Sequence, residues 1–367
     1  MSLEPYLEEE LIEMIGAEKY QRAASRRGAR NGSYFRSFLT SQGHIDGKIP
    51  RSRDHGSPGG DSLGNYKRRS KELDDAICEA YVGGVSTRGM EHVTSALTGE
   101  AVKKSTVSRI TKRLEDEVES LRNAKITEPY VYLYLDATFL DARWARTVEN
   151  VAALVAYGIG PDGKRHLLGV TIGAQESTDS WSDLLRQLVD RGLSGVRLVI
   201  ADGHGGLWKA ARLHIPEAAH QRCSVHLIRN VVASVPKKLS ARVAKLVVEI
   251  LHAPSLAEAK KRKVEFEKGL GLQVPEAVEC LDATFNLATT YYKFPKEHWK
   301  RIRSTNRLER LNTEIKRRIK AVSAFPDRAS ALRLVTAVSL RRTAIWSDRR
   351  YLDMRVFAKQ EEGDQAA

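Results

Sequence analysis

Two short apolar runs, each closed by an aspartate, constrain the fold of this chain more than any other feature. Val131-Tyr132-Leu133-Tyr134-Leu135 stops at Asp136, and Val196 to Ala201 stops at Asp202. Runs of this length and composition read as strands buried on both faces of a sheet. Between them, Val151 to Ile159 and His166 to Gly173 read as two more strands, joined as an antiparallel hairpin through Gly160-Pro161-Asp162-Gly163. Ser180 to Arg191 and Leu207 to Leu213 have helical spacing. The order strand, strand, strand, helix, strand predicts an α/β domain on a mixed sheet.

Helical patterns flank this region. Leu3, Leu7, Leu11, Ile12 and Ile15 predict an amphipathic first helix. From Lys19 to Arg36 there are six basic residues and no acidic one, with Tyr20, Tyr34 and Phe35 among them. Gly43 to Gly64 is poor in pattern and reads as loop or short strand. From Glu72 to Leu121 the period is helical, interrupted at Gly83-Gly84 and at Thr98-Gly99. Ser86-Thr87 and Ser105 are the expected N-caps of the two segments after those breaks. Two short helices with a glycine break and a second helix rich in Ser, Thr and Arg form a helix-turn-helix pattern, or a plain helical hairpin. Arg88, Ser105, Thr106, Ser108, Arg109 and Lys112 are the residues such a unit would turn toward DNA. Pro236 to about Thr290 is helical throughout, and helix returns from Ser304 onward.

Composition narrows the function classes. Sixty Lys+Arg against 46 Asp+Glu give a net charge of +14, which on a globular chain points to a polyanionic partner, most simply nucleic acid. Three cysteines cannot build a disulfide scaffold and suit the reducing cytoplasm. The first residues are acidic where a signal peptide is basic, and no apolar run approaches the roughly 18 residues of a membrane span. A cytoplasmic protein without membrane contact is expected.

The chemistry rests on carboxylates. Asp136 and Asp202 each also fit a turn or a helix cap. On neighbouring strands, about 4.8 Å apart, they could converge on one hard divalent cation. Glu309 offers a third ligand, on a helix whose apolar stripe (Leu308, Leu311, Ile315, Ile319) would dock it onto the sheet. Thr305, Glu309, Asn312 and Lys316 share the neighbouring face; Glu314 lies well around the helix. Glu309 could equally be a solvated residue paired with arginine. Residues 301 to 320 hold eight Lys+Arg against two Glu, and Arg303, Asn306, Arg307, Arg310, Lys316, Arg317 and Arg318 suit a phosphodiester backbone.

These segments resemble the Mutator-type transposases of bacterial insertion sequences, a DDE transposase family, from about Tyr20 to Met354. The matching stretches are Leu135-Asp136-Ala137, Val199 to Leu207, Gln221 to Asn230, and Ser304-Thr305-Asn306 through Glu309-Arg310-Leu311-Asn312 with Lys316-Arg317-Arg318. Their order and spacing, 66 residues from Asp136 to Asp202 and 107 more to Glu309, make the likeness specific. The resemblance implies a ribonuclease H-like core interrupted by a helical insertion and preceded by a helix-turn-helix region. The implied domains are 1–71 (basic, DNA-binding), 72–127 (helix-turn-helix), 128–235 (first part of the core), 236–298 (insertion), 299–357 (helices completing the core) and 358–367 (tail). It implies a metal-binding triad of Asp136, Asp202 and Glu309 with two Mg²⁺ or Mn²⁺ ions. The substrates would be double-stranded DNA, at the element's terminal inverted repeats and at a target, gripped by a homodimer or larger assembly. A nuclease or resolvase that cuts without joining, and an inactive DNA-binding regulator, are the alternatives.

Three further features are weighed beside the family likeness. Cys223, His226, Arg229 and Asn230 form a family signature near the expected site. With His220, Cys223-x-x-His226 supplies three of the four ligands a structural zinc wants, but Cys78 and Cys280 have no nearby partner, so packing or positioning is the expected role. Asp141, just before Arg143, is expected on hairpin surface. Trp181, Trp208 and Trp299 could stack on bases, but large aromatics more often belong to the core.

Overall fold

In the computed structural model the described residues are 4–58, 68–144, 147–322, 324–346 and 349–357, without the side chains of 144 and 307–310. The expected tail, Lys67 and the side chains of Arg307, Leu308, Glu309 and Arg310 therefore lie outside the description. The chain forms two compact units, residues 1–113 and 114–367.

The first unit opens with helix α1 (Glu4–Ile15), whose Leu7, Leu11 and Ile15 are buried as the spacing predicts. Strands β1 (Arg30–Thr40) and β2 (Gly43–Ser52) pair antiparallel, and Phe38 and Ile49 pack on Leu7. Of the loop or short strand expected from Gly43 onward the strand is present as β2, whereas β1 and the hairpin pairing were not anticipated. The hairpin's exposed residues are mostly polar (Ser33, Ser37, His44, Asp46, Lys48, Arg51) but include Phe35, so the apolar alternation that reveals a strand is blurred. Leu39 joins it to the helices that follow: its N–H donates to the Arg68 carbonyl and its carbonyl accepts from Ser70 N–H. Three helices complete the unit: α2 (Lys71–Val82), α3 (Gly89–Thr98) and α4 (Lys104–Thr111). Ser70 caps α2 through Leu73 N–H, and Ser86 Oγ accepts from Gly89 N–H at the start of α3. The cap expected from Ser105 is not formed. Helix α4 begins at Lys104, two residues before the start that such a cap implies, where the Glu91 carboxylate of α3 accepts Lys104 N–H at 3.0 Å, leaving Ser105 exposed in the first turn. A carboxylate reaching across from a neighbouring helix does the work of a local cap, and no local sequence rule reports it.

The second unit begins with α5 (Leu114–Asn123) and is built on a sheet of β3 (Tyr132–Trp144), β4 (Thr147–Ile159), β5 (Arg165–Gly173), β6 (Leu198–Ala201) and β7 (Ala219–Arg222). The spatial order is β5-β4-β3-β6-β7, antiparallel from β5 to β3 and parallel from β3 to β7. The expected mixed sheet is present. β3 does not stop at Asp136, because the hairpin with β4 continues in register to Trp144 paired with Thr147. β7 was not anticipated, since its four residues Ala-His-Gln-Arg carry no apolar pattern.

Alternation along β3 sorts its side chains between two layers. Leu133 and Leu135 face α6 (Thr178–Asp190) and α7 (Gly205–His214) in a core with Trp181, Leu184, Leu185 and Trp208. Tyr132 and Tyr134 face the other way, bonding His298 Nδ1 and the Arg301 carbonyl beside α13 (Trp299–Ile302). On that side lie α14 (Asn306–Val322) and α15 (Arg328–Trp346), with Leu311, Ile315 and Ile319 buried as expected. Helices α8 (Ser224–Ala233), α9 (Lys237–Leu251), α10 (Leu256–Leu270), α11 (Pro275–Asp282) and α12 (Phe285–Ala288) enclose their own core around Val231, Val247, Ile250 and Phe266. No helix among the described residues is long and apolar enough to cross a membrane.

Candidate functional site

Asp136 shares its face of β3 with Tyr132 and Tyr134, so it points toward the α14 layer. It is buried, and Asn312 Nδ2 of α14 donates to its Oδ2 at 2.8 Å. The β3–β6 register pairs Tyr132 with Leu198 and Tyr134 with Ile200. β6 ends at Ala201, so Asp202 follows directly on the strand paired with β3, two residues beyond the last paired position. Asp202 is more open, and its Oδ1 accepts from Gly203 N–H at 2.6 Å. Glu309 stands in α14 three residues before Asn312, less than one turn away.

The loop that carries Asp202 is fixed by close approaches that explain its glycines. A Cβ on Gly203 would lie 2.8 Å from the guanidinium carbon of Arg222, and one on Gly206 would lie 2.8 Å from Thr178 N at the start of α6. Only glycine lets Arg222 and the α6 backbone come so near. Arg222 is itself buried, with Nη1 donating to Thr284 Oγ1 at 2.6 Å. Its neighbour Gln221 donates to the Ala288 carbonyl and accepts Tyr291 N–H, tying β7 to α12 and the turn after it.

The Cys-x-x-His signature lies at the corner where this loop meets α14. Cys223 N–H donates to the Ala201 carbonyl, and Cys223 Sγ accepts from both Thr305 N–H and Thr305 Oγ1 at 3.3 Å. Ser224 N–H donates to the Arg303 carbonyl at 2.9 Å. The sulfur thus joins the strand that ends at Asp202 to the segment that starts α14. His226 Nδ1 lies 3.9 Å from Asp202 Oδ1. A hydrogen bond with Cys223 pushes the His226 imidazole up to about 9; burial opposes this, and the charges of Cys223, Asp202 and Asp136 add to it. With its amide turned to satisfy both neighbours, Asn230 accepts from Arg222 Nη2 at 2.8 Å and donates to the His226 carbonyl. Arg229 is exposed on α8.

Glu176 is a residue that sequence pattern did not expose. It precedes α6, accepts from Trp181 Nε1 at 3.2 Å, and lies 3.8 Å from His204 Nδ1. Burial pushes its carboxyl up; His204 and the Trp181 bond pull it back, and the Asp202 charge raises it further. Its only signal was a lone acid in a loop, which means little until Asp202 is placed beside it. Asn312 was visible on the shared helix face, but its bond to Asp136 was not.

The other expected residues fall into three groups. Ser105, Ser108 and Arg109 are exposed on α4, Thr106 is half-buried there, and Lys112 is exposed just after it; Arg88 is exposed at the start of α3. Asn306 and Lys316 are exposed on α14, while Arg303 is half-buried. Arg317 and Arg318 both bond Glu314, which Arg342 of α15 also reaches at 3.0 Å. Asp141 is exposed and accepts from Asn150, as its place on the hairpin predicts. Trp181 and Trp208 are buried core residues; Trp299 packs edge-on against Tyr291 and Tyr292. His220 stacks on Trp208, with ring centroids 4.9 Å apart.

Asp136 on β3 and Asp202 just after the paired strand β6 are hard oxygen donors, a donor type that suits Mg²⁺ or Mn²⁺. Asn312 and the backbone amides hold the two carboxylates in place while leaving lone pairs on their oxygens. Among the described residues, no three His, Cys, Asp or Glu groups are arranged to hold a metal.

Comparison with known proteins defines the class as a DNA-processing enzyme, a transposase. Residues 1–348 match the family described as Transposase, Mutator family, and the chain belongs to it. It is 36% identical over 353 residues to the transposase for insertion sequence element ISRM5 of Rhizobium meliloti (strain 1021), covering 96% of this chain and 88% of that protein. It is also 36% identical over 353 residues to the transposase for IS256 in transposon Tn4001 of Staphylococcus aureus, covering 95% and 90%. Against the transposase for IS1081 of Mycobacterium tuberculosis (strain ATCC 25618 / H37Rv) the identity is 36% over 348 residues, with 94% and 84% covered.

Proposed function

We propose that this transposase binds the terminal inverted repeats of its insertion sequence and carries out both cleavage and strand transfer with Asp136, Asp202 and Glu309. The observation that carries the reading is the bond from Asn312 of α14 to Asp136, with Asp202 directly after the strand paired with β3 and Glu309 under one turn from Asn312. The sheet order β5-β4-β3-β6-β7, with α8–α12 inserted before α14, supports a ribonuclease H-like core. Helices α3 and α4 serve as a helix-turn-helix, with Thr106, Ser108 and Arg109 toward base edges and phosphates. Holding two ends together calls for a dimer or larger assembly.

The three carboxylates would hold two divalent ions, Mg²⁺ or Mn²⁺, which when bound activate the attacking oxygen and stabilise the leaving one. Asn312 orients Asp136, the Gly203 amide orients Asp202, and the Cys223–Thr305 contact fixes where α14 begins. Exposed cations on α14, among them Lys316, would neutralise the phosphodiester backbone beside the carboxylates.

The test is cleavage and joining of labelled duplexes carrying the element's own ends, with Mg²⁺ or Mn²⁺. Asp136→Asn, Asp202→Asn and Glu309→Gln are expected to bind these ends yet neither cut nor join. Asp141→Asn, a neighbouring carboxylate outside the trio, should do both. Loss of activity in Asp141→Asn, or its retention in any of the three, would break the assignment. Cutting without joining by the unaltered protein would replace it with the nuclease reading.

A further inference from the structure

The first unit contains a cleft of about 1390 Å³ between the β1–β2 hairpin and α4. That exceeds the roughly 300–1,000 Å³ of small-molecule pockets, and its lining is unlike theirs. Among the described residues, its charged lining comprises six strong cations (Arg36, Arg51, Arg68, Arg69, Lys103 and Arg109), two histidines and one carboxylate, Glu100. Glu100 is paired with His44, and Arg69 with Asp74. Hairpin aromatics lie among these cations. Arg51 sits 4.4 Å from the Tyr34 ring centre, and Phe35 is 81% exposed with Lys48 Nζ at 6.0 Å. The two walls cannot slide apart freely: nine residue pairs lock the hairpin, and the bonds of Leu39 to Arg68 and Ser70 fasten it to the helices.

We infer that this cleft takes one sugar-phosphate strand of the DNA duplex that α4 contacts, and that the hairpin is a second DNA-binding element whose Phe35 packs on the deoxyribose of that strand. The inference rests on the proposed reading of α4 and goes beyond it. A polymer of negative phosphates joined by apolar sugars is the ligand that cations interleaved with an exposed aromatic recognise. Arg51, preorganised over Tyr34, presents its guanidinium edge to a phosphate at little entropic cost. Thr106 and Arg109 line the cleft from α4 as well as standing on its exposed face, so one duplex would touch both elements.

The test uses the full-length protein and a labelled duplex carrying the terminal repeat that flanks the gene. Binding is measured across a salt series, and the complex is footprinted with hydroxyl radicals. Phe35→Ala and Arg51→Ala alter exposed side chains, and unchanged thermal melting will show that the fold is intact. Each should weaken binding by about tenfold. Arg51→Ala should also flatten the slope of log affinity against log salt by about one, and Arg51→Lys should restore it. Both alanine variants should lose protection at one edge of the footprint and keep it where α4 binds. Wild-type affinity, slope and footprint in both would overturn the inference. If Ser108→Ala and Lys112→Ala, on or beside α4 but outside the cleft lining, change nothing while the hairpin variants weaken binding, the helix reading fails and the cleft stands. The opposite pattern removes the cleft alone.

Discussion

Cys223 links two parts of the candidate site, and its value is set by what loses a partner without it. Thr305 is buried, and both its amide and its hydroxyl donate to the sulfur. Sulfur is a weak acceptor, so the bonds contribute little in themselves, but a buried donor left without a partner costs about 1–3 kcal/mol. Cys223→Ala should therefore lower stability by about 2 kcal/mol in chemical denaturation and depress strand cleavage. Affinity for the DNA ends should stay unchanged, because the surfaces proposed to read them lie in the first unit. Thr305→Val removes only the hydroxyl donor and should cost less than half as much. A Cys223→Ala protein as stable and active as wild type would leave the sulfur without a positioning role. The signature was legible in the sequence as a spacing. Its meaning was not, because the partner of Cys223 is 82 residues away on another element.

Glu314 shows the same point at the scale of an element. It is 8% exposed and bonded by Arg317, Arg318 and Arg342, so it holds α14 against α15. The Arg317 bond, supported by Arg318 and Arg342 against the cost of burial, pulls its carboxyl down to about 2. A depressed carboxyl stabilises the fold at any pH above its ordinary value near 4.5, and that stability is lost as pH falls toward 2. Glu314→Gln should lose on the order of 2–3 kcal/mol at neutral pH, and its denaturation curve should converge on wild type as pH falls from 4.5 toward 2. A gap that stays constant with pH would mean the clamp is not electrostatic. Sequence spacing placed Glu314 around the helix from Glu309, but its partner on α15 is a tertiary fact. The same division runs through the other elements. The continuous apolar runs of β3, β4 and β5 were plain because both faces of the sheet are covered there. β7 and β1 were missed because polar residues fill most of their positions.

For the whole molecule, the distribution of charge between the two units carries a consequence for DNA binding. Residues 1–113 contain 19 Lys+Arg and 15 Asp+Glu, whereas residues 114–367 contain 41 and 31. Most of the excess positive charge is thus outside the unit proposed to read sequence. Counterion release makes affinity from such charge steeply salt-dependent and blind to sequence, whereas discrimination comes from base contacts. The two should separate in a variant carrying Thr106→Ala, Ser108→Ala and Arg109→Ala together. Competition between the terminal repeat and a scrambled duplex of equal length should show preference for the repeat falling by about 10²-fold or more, as expected when several base contacts are lost. Binding to the scrambled duplex should change far less, and its salt dependence should remain steep. If the triple variant instead loses both kinds of binding together, the charge of residues 114–367 does not face DNA, and the first unit supplies the grip as well as the readout. The single-sign surplus around α14 would then serve only the strand already in place beside Asp136 and Asp202, a role detectable as a salt-sensitive cleavage rate in complexes already formed.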